Sequence, residues 1–388
     1  MGTDVTISDH SHIYLDHNAT TPVAPESINA MMPYLKEEFG NPSSNYPLGI
    51  RAREGVEKAR KDVADLIGCD AVEVIFTSGG SESNNMVLKG SIDFNAPTEN
   101  HIITSAVEHP AVLNPLFFLM ELGVKVSILP VDRFGRVDPD DVKKALSPAT
   151  KLISVMLANN ETGTIQPVKE IAEIARKNNV PVHTDAAQAV GKIPVDVNEL
   201  GVDFLSLAGH KLYAPKGIGA LYLRNGSDIR PLIHGADQEH GKRAGTENVV
   251  LSVGLGTACK VARERLNEDI RTVTAMRERL QVLLVEGIKD LVINGHIKDR
   301  LPNTLSVSVP NMDGAKILAD IPGLYASTGA ACHDRKVKLS RVLAAMAVPP
   351  EIGMGTIRLS LGRNNTMDQI EEAARMICAS IKKARSHQ

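Results

Sequence analysis

Short apolar runs alternate with amphipathic helical patterns along most of this 388-residue chain, and that alternation limits the possible folds more than any other feature. Glu73–Thr77 is one such run, followed by Ser78-Gly79-Gly80 and a helical stretch. His101–Thr104, Val124–Leu129 and Leu152–Leu157 come next, with a helix predicted over Val168–Lys177. Val182–Thr184, Phe204–Leu207 and Ala220–Leu223 add further short strands. Brief apolar runs without polar alternation read as strands buried on both faces. Strands of that kind joined by helices predict an α/β fold with a mostly parallel sheet between helical layers. Upstream, Val56, Ala59, Val63, Leu66 and Ile67 share one helical stripe within Arg51–Ile67, and Gly68 ends it.

The pattern changes after about residue 250. Val249–Asp290 predicts two long helices, and Asn303–Val309 and Thr356–Leu361 predict strands. The last helix opens with a capping box, Thr366 with Gln369, and carries Ile370, Ala373, Ile377 and Ile381 on one face. The expectation is a large domain over residues 15–260. A smaller α+β domain is expected from residues 1–14 and 261–388.

Composition removes several function classes. Lys and Arg total 43 against 46 Asp and Glu, so the net charge of −3 creates no field that would gather nucleic acid or an anionic membrane. Tryptophan is absent and aromatic residues are 3%, which leaves little for base stacking. Cys69, Cys259, Cys332 and Cys378 are too scattered for a disulfide framework or a zinc site, so no metal is expected. A reducing cytoplasm is the simplest compartment. No apolar run reaches the ~18 residues of a spanning helix.

Parallel sheets bind ligands at the carboxyl ends of their strands, so polar residues just past the strands are the candidates. Thr77–Ser83 is rich in Gly and Ser and enters a helix. It reads equally well as a phosphate cradle and as a Ser-capped turn. With no Walker lysine and no GxGxxG, ATP and dinucleotides are disfavoured. Asp185 ends a Val-rich strand, where a carboxylate is partly desolvated; alone it reads as a helix cap. Lys211 follows Gly209-His210 at another strand end, where desolvation makes an amine nucleophilic, although most lysines are surface residues. A carboxylate for a pyridinium, an imine-forming lysine and a phosphate cradle are together what a pyridoxal phosphate site requires. Cys332 lies among small residues with His333, Arg335, Lys336 and Lys338 close by, and reads as a reactive thiol. The other three cysteines sit on helical patterns and read as packing residues.

Over Tyr14 to about Ser380 the chain resembles the cysteine desulfurases, pyridoxal phosphate enzymes of the class V aminotransferase group, and is also similar to selenocysteine lyases. The motifs stand in family order: Tyr14-Leu-Asp-His-Asn-Ala-Thr-Thr-Pro22, Gly40-Asn-Pro-Ser-Ser44, Phe76-Thr-Ser-Gly79, Glu108-His109, Asn159-Asn-Glu-Thr-Gly163, Asp185-Ala-Ala-Gln188, Gly209-His-Lys211, Arg243-Ala-Gly-Thr-Glu-Asn248 and Arg358-Leu-Ser-Leu-Gly-Arg363. The resemblance implies pyridoxal phosphate fold type I, with a mostly parallel but mixed sheet between helices in the large domain, and the cofactor pyridoxal 5'-phosphate. It implies that Lys211 binds the cofactor covalently and moves protons at the substrate α-carbon. Asp185 would pair with the ring nitrogen, His109 would stack on the ring, and Gln188 would bond the ring 3-oxygen. Asn160 would lie beside the ring and the substrate carboxylate. Gly80, Ser81 and His210 would hold the phosphate, joined by Thr246 from the second subunit of a homodimer. Arg358 would take the substrate carboxylate, and Cys332 would attack the substrate sulfur. L-Cysteine would yield L-alanine and a persulfide on Cys332, with a sulfur-acceptor or scaffold protein as partner for iron–sulfur cluster or thio-cofactor assembly.

Tyr14 and Asp16 are expected in the scaffold, and Arg363 as the structural partner of a carboxylate. His17–Thr21 reads as the site entrance or as a plain turn. The chain also departs from the family pattern. Ala208 stands where many desulfurases have a phosphate-binding Ser, and Tyr46 replaces the usual His. Gly329-Ala-Ala-Cys-His333 and Val348-Pro349 look like selenocysteine lyases, which use L-selenocysteine. The span Cys332–Val342 matches the long flexible loop of scaffold-serving desulfurases. An ordinary aminotransferase gives Cys332 no purpose, and a non-catalytic scaffold on the same fold would not need Lys211, Asp185 and Arg358.

Overall fold

The computed structural model describes residues 12–328, 330–333 and 336–386, with side chains for all of these except 330–333 and 336–338. In chain order the strands are β1 (Ile13–Tyr14), β2 (Val74–Thr77), β3 (His101–Ser105), β4 (Lys125–Leu129), β5 (Thr150–Ser154), β6 (Val182–Asp185), β7 (Phe204–Ala208), β8 (Gly219–Leu223), β9 (Val292–Asn294), β10 (Thr304–Ser308), β11 (Leu324–Tyr325), β12 (Ser327–Thr328), β13 (Ala330–His333), β14 (Lys336–Leu339) and β15 (Thr356–Ser360). Seven of them form one sheet in the order β2-β8-β7-β6-β5-β3-β4. Every residue of β2, β3, β6, β7 and β8 is buried, as uninterrupted apolar runs between helices require. From β7 to β4 the pairing is parallel.

β8 runs antiparallel to both of its neighbours, so the expected α/β sheet is mixed at one end. The cause is the short connection from β7 to β8. A parallel return needs a crossover of about a dozen residues or more. The segment Gly209–Ile218 instead turns at once, and it carries Lys211 on the carboxyl end of β7.

The second, smaller sheet is antiparallel, in the order β12-β15-β10-β9. The two helices expected over Val249–Asp290 are one helix, Val249–Gly287. No proline interrupts it, and its polar middle is a solvated stretch in which Arg265 pairs with Glu268 and Asp269 one turn on. Its first half packs Leu255, Ala258 and Cys259 into the core beside the large sheet. Its second half packs Val273, Met276, Leu280 and Leu284 into the core of the small sheet. The final helix, Met367–Ser386, has the expected capping box. Thr366 N–H donates to Gln369 Oε1 and Gln369 N–H to Thr366 Oγ1, both at 3.3 Å.

Cys259 is wholly buried in the first core, and Cys378 is half-buried against the second. Cys69 lies just past the helix Pro47–Ile67, which Gly68 ends at φ 74°, rather than on it. Burial, helped by nearby carboxylates, pushes its thiol up to about 12. β13 and β14 pair as an antiparallel hairpin with Cys332 opposite Val337, where the sequence predicts a loop. The Cys332 side chain lies outside the described residues. So does the chain before His12, and with it most of the expected 1–14 segment. Among the described residues, no helix is long and apolar enough to cross a membrane.

One buried ion pair ties the edge of the large sheet to the loop after β8. Glu239 takes Arg60 Nη1 and Nη2 at 2.7 and 2.9 Å, and it also accepts the Phe76 N–H at 2.8 Å. Both side chains are about 5% exposed or less. Removing one partner strands a buried charge, so Glu239→Ala is expected to cost about 3–5 kcal/mol of stability in urea unfolding. A loss within ~1 kcal/mol, the range of a surface pair, would contradict this placement.

Candidate active site

The site is built at the carboxyl ends of β2, β6 and β7. After β2 the chain turns through Gly79 at φ 150°, ψ 179°, a conformation open essentially to glycine alone. The turn is held by Ser78 N–H on Glu82 Oε2 at 2.8 Å and by a Thr77–Ser83 hydroxyl contact at 2.8 Å. It feeds the helix Gly80–Gly90, whose first turn offers free N–H groups at Gly80 and Ser81.

Asp185 ends β6 and is 6% exposed. Its Oδ2 accepts from Asn84 Nδ2 at 2.7 Å and its Oδ1 from Ala187 N–H at 3.0 Å. Both donors are neutral, and no ion pair to Asp185 occurs among the described residues. A buried carboxylate so placed calls for a cationic partner. Lys211 Nζ donates to the main-chain oxygens of Asn18 and Ala19 at 2.6 and 2.7 Å. Burial first, then the Arg358 charge, lowers its amine to about 8 against the pull of Asp16 and Asp185. His210 Nδ1 lies 3.2 Å from Thr20 Oγ1, and burial and the Lys211 charge bring its imidazole down to about 4.

His109 caps the helix Pro110–Glu121. Its Nδ1 accepts the Ala111 N–H at 3.1 Å, which puts the proton of the neutral ring on Nε2. Burial depresses its pKa, so the neutral form prevails at pH 7. Beside it, burial lifts the Glu108 carboxyl to about 8, with Ser105 Oγ at 2.5 Å and Met156 N–H at 2.9 Å on the same oxygen. Arg358, on β15, donates through Nη2 to Asp16 at 2.7 Å and through Nη1 to the Asn160 main-chain oxygen at 3.1 Å. Its buried Nε has no partner among the described residues.

Gly80, Ser81, His109, Asn160, Asp185, Gln188, His210, Lys211 and Arg358 all line one cavity of about 330 Å3. Thr246 is exposed and does not line it. The position of the Cys332 side chain is outside the described residues. Ala208 lines the cavity and is 4% exposed.

Three expectations change. Asp16, expected in the scaffold, is the ion-pair partner of Arg358. Arg363 stacks over the Tyr213 ring at 4.0 Å and makes no ion pair among the described residues, although the Asp269 carboxyl lies near enough to feel its charge. The His17–Thr21 stretch divides: Asn18 and Ala19 line the cavity, while His17 is buried, with its imidazole brought down to about 4 by burial. Asn84 was not foreseen. Its place one turn after Gly80 on a helix facing the cavity is the signal that marks it.

The cavity suits an anionic cofactor that also brings a cationic group and a carbon open to attack by an amine. A carboxylate with no ion pair among the described residues, an amine lowered to about 8 and N–H groups at a helix start surround a space within the usual range for small-molecule sites. Buried Asn84 Oδ1 and Arg358 Nε are also without partners among the described residues.

Residues 13–372 match the class-V aminotransferase family. The cysteine desulfurase IscS of Dictyoglomus turgidum is 47% identical over 376 residues, which cover 96% of this chain and 95% of that protein. Among solved structures, a NifS-like protein superposes with a TM-score of 0.89 at 38% identity, covering 96% of this chain and 99% of that one. A structure described as SspA in complex with cysteine gives a TM-score of 0.80 at 35% identity, covering 91% and 99%.

Proposed function

This chain belongs to the class-V aminotransferase family, and from that membership we propose that it is a pyridoxal 5'-phosphate-dependent cysteine desulfurase, turning L-cysteine into L-alanine and supplying sulfur for iron–sulfur cluster or thio-cofactor assembly. The observation that carries the reading is the meeting of Lys211, Asp185 and Arg358 in one cavity at the carboxyl ends of the strands.

When bound, pyridoxal 5'-phosphate supplies an electron sink conjugated to the substrate α-carbon. Lys211 would bind it covalently, and Asp185 would hold the proton at its ring nitrogen. Gly80, Ser81 and His210 would take the phosphate; Ala208 contributes no hydroxyl there. Arg358 would bind the substrate carboxylate from the cavity wall, with Asp16 and the Asn160 oxygen fixing the guanidinium plane. Lys211, its pKa lowered to about 8, would take a proton from the α-carbon and return one, and His109 has an Nε2 proton to give. Cys332 as thiolate takes the substrate sulfur. An S–S bond forms as the C–S bond breaks, the bonding electrons stay on carbon, and a proton completes L-alanine. The reading extends to a cytoplasmic homodimer, in which the exposed Thr246 reaches the partner's phosphate site, and to a sulfur-acceptor protein.

The test is alanine release from L-cysteine and L-selenocysteine, side by side, by the purified protein supplied with pyridoxal 5'-phosphate. Alanine from both substrates is expected. Alanine from neither would remove the reading. Rapid release from selenocysteine with barely any from cysteine would replace it with a selenocysteine lyase, a reading favoured by the apolar Ala208.

A further inference from the structure

Lys192 has no place in the chemistry above, yet its amine points inward. It follows Gly191, whose φ of 77° turns the chain back toward the sheet. The side chain is half-buried, and its Nζ donates to Gln188 Oε1 at 2.7 Å and to Asn18 Oδ1 at 3.1 Å. Both recipients belong to buried residues. The charged groups that face it, Lys211 and Arg358, are of its own sign, and His17 and His210 lie close enough to feel it. Burial and those charges hold its pKa far below the usual lysine value. A leucine here would avoid that cost, so the amine is present for what it donates.

What it donates to decides how two amides are turned. Gln188 Nε2 donates to the Asn18 main-chain oxygen at 3.0 Å, and that oxygen can only accept. With Lys192 on Oε1, both ends of the Gln188 amide are assigned in the same sense. Turned over, the amide would set NH2 against the Lys192 amine and oxygen against oxygen. One Nε2 hydrogen is used by Asn18, and the other remains for a ligand in the cavity that Gln188 lines. The Asn18 carboxamide is fixed in the same way. Its oxygen takes Lys192 and Asn303 Nδ2 (3.0 Å), and its Nδ2 donates to Asn160 O (3.1 Å) and Thr304 Oγ1 (2.8 Å). The Asn18 main-chain oxygen, held by this clamp, receives both Lys211 Nζ and Gln188 Nε2.

We propose that Lys192 is a positioning residue for the desulfurase reaction: it locks the Gln188 amide with N–H toward the ring oxygen of the bound cofactor, and through Asn18 it holds the carbonyl that receives the Lys211 amine. This rests on the cofactor reading given above. Lys192 does not line the cavity that Gln188 lines but a small neighbouring pocket of about 40 Å3, with Lys211 lining both, and so acts through its neighbours.

The test reads the pH titration of the visible absorption of the bound cofactor, with no substrate present. A donor on the ring oxygen draws off negative charge, so the nitrogen shared with Lys211 holds its proton less tightly. Lys192→Met leaves the Gln188 amide anchored by the Asn18 oxygen alone, so its second N–H is aimed less well, and the midpoint is expected to rise by up to about one pH unit, the worth of one hydrogen bond. Gln188→Ala should move it the same way, and the double variant no further than Gln188→Ala alone. An unchanged midpoint in folded Lys192→Met, or shifts that add in the double variant, would overturn the proposal. If Lys192→Met fails to fold, the crystal structure of the wild-type holoenzyme decides. Lys192 on Gln188 Oε1 supports the proposal, and Lys192 turned away from Gln188 overturns it. A wild type that takes up no cofactor would overturn the functional reading and this inference together, whereas a wild-type band with an unmoved Lys192→Met midpoint removes this inference alone.

Discussion

Lys211→Ala is expected to lower alanine release from L-cysteine by at least about a thousandfold, because on the proposed reading Lys211 is both the nucleophile that captures the cofactor and the base at the α-carbon. Two features of the structure set this expectation. Among the described residues the amine donates only to main-chain oxygens, of Asn18 and Ala19, so its removal breaks no side-chain ion pair. Its pKa is lowered to about 8 by burial and by Arg358. At pH 7 about a tenth of the amine is then neutral, against a few parts in ten thousand for an ordinary lysine near 10.4. The sign follows directly: capture of the cofactor aldehyde by the ligand-free protein should quicken as pH rises to about 8 and then level off. Stopped-flow absorbance on the wild type reads this rate. In Lys211→Ala the covalent band should be missing while circular dichroism shows an intact fold. Steady-state turnover surviving in the variant would take Lys211 out of its role. A capture rate still climbing steeply at pH 10 would mean that the amine is not depressed.

The alternation of buried runs and amphipathic helices was enough to read an α/β sheet, because burial on both faces leaves a local mark in each strand. The direction of β8 left no such mark, since it depends on the length of the Gly209–Ile218 turn and on what pairs beyond it. The continuity of the helix Val249–Gly287 leaves no local mark for a similar reason. Its polar middle is a bridge between two cores, and a local pattern cannot tell a bridge from a break. At the site, Lys211 and Asp185 were legible as residues that follow strands. Asn18 was not. Its partners Asn160, Gln188, Lys192, Lys211, Asn303, Thr304 and Ser360 lie more than a hundred positions away, and nothing near it in sequence announces them. Lys192 was hidden by its type, because a lysine is read as a surface residue until its surroundings are known. Asp16 was hidden likewise, since its pairing with Arg358 spans 342 positions.

Cys332→Ala is the second large effect, and it separates binding from sulfur transfer. Alanine and sulfide release from L-cysteine should fall at least about a hundredfold, while cofactor uptake and the visible band stay as in the wild type. The reason lies in which thiols can ionise. Burial raises the pKa of Cys69 to about 12 and lifts Cys259 and Cys378 as well, so none of them is a thiolate at pH 7. Cys332 is set apart by sequence, in a segment that carries Arg335, Lys336 and Lys338, cations that favour a thiolate. Its backbone pairs in a hairpin that ends where the helix Arg341–Ala345 begins, outside the sheets that hold the cofactor residues. A thiol placed there can be deleted without disturbing Lys211, Asp185 or Arg358. Mass spectrometry of the wild type after L-cysteine should show the Cys332 peptide heavier by one sulfur atom, and the variant should show no such peptide at any cysteine. Selenocysteine provides the contrast, because selenium departs more readily than sulfur and has less need of a nucleophile. The variant should therefore keep most of its selenocysteine turnover. Sulfide release from L-cysteine at the wild-type rate would remove Cys332 as the acceptor. Equal loss with both substrates would instead assign Cys332 a part common to the two reactions, upstream of the bond to sulfur.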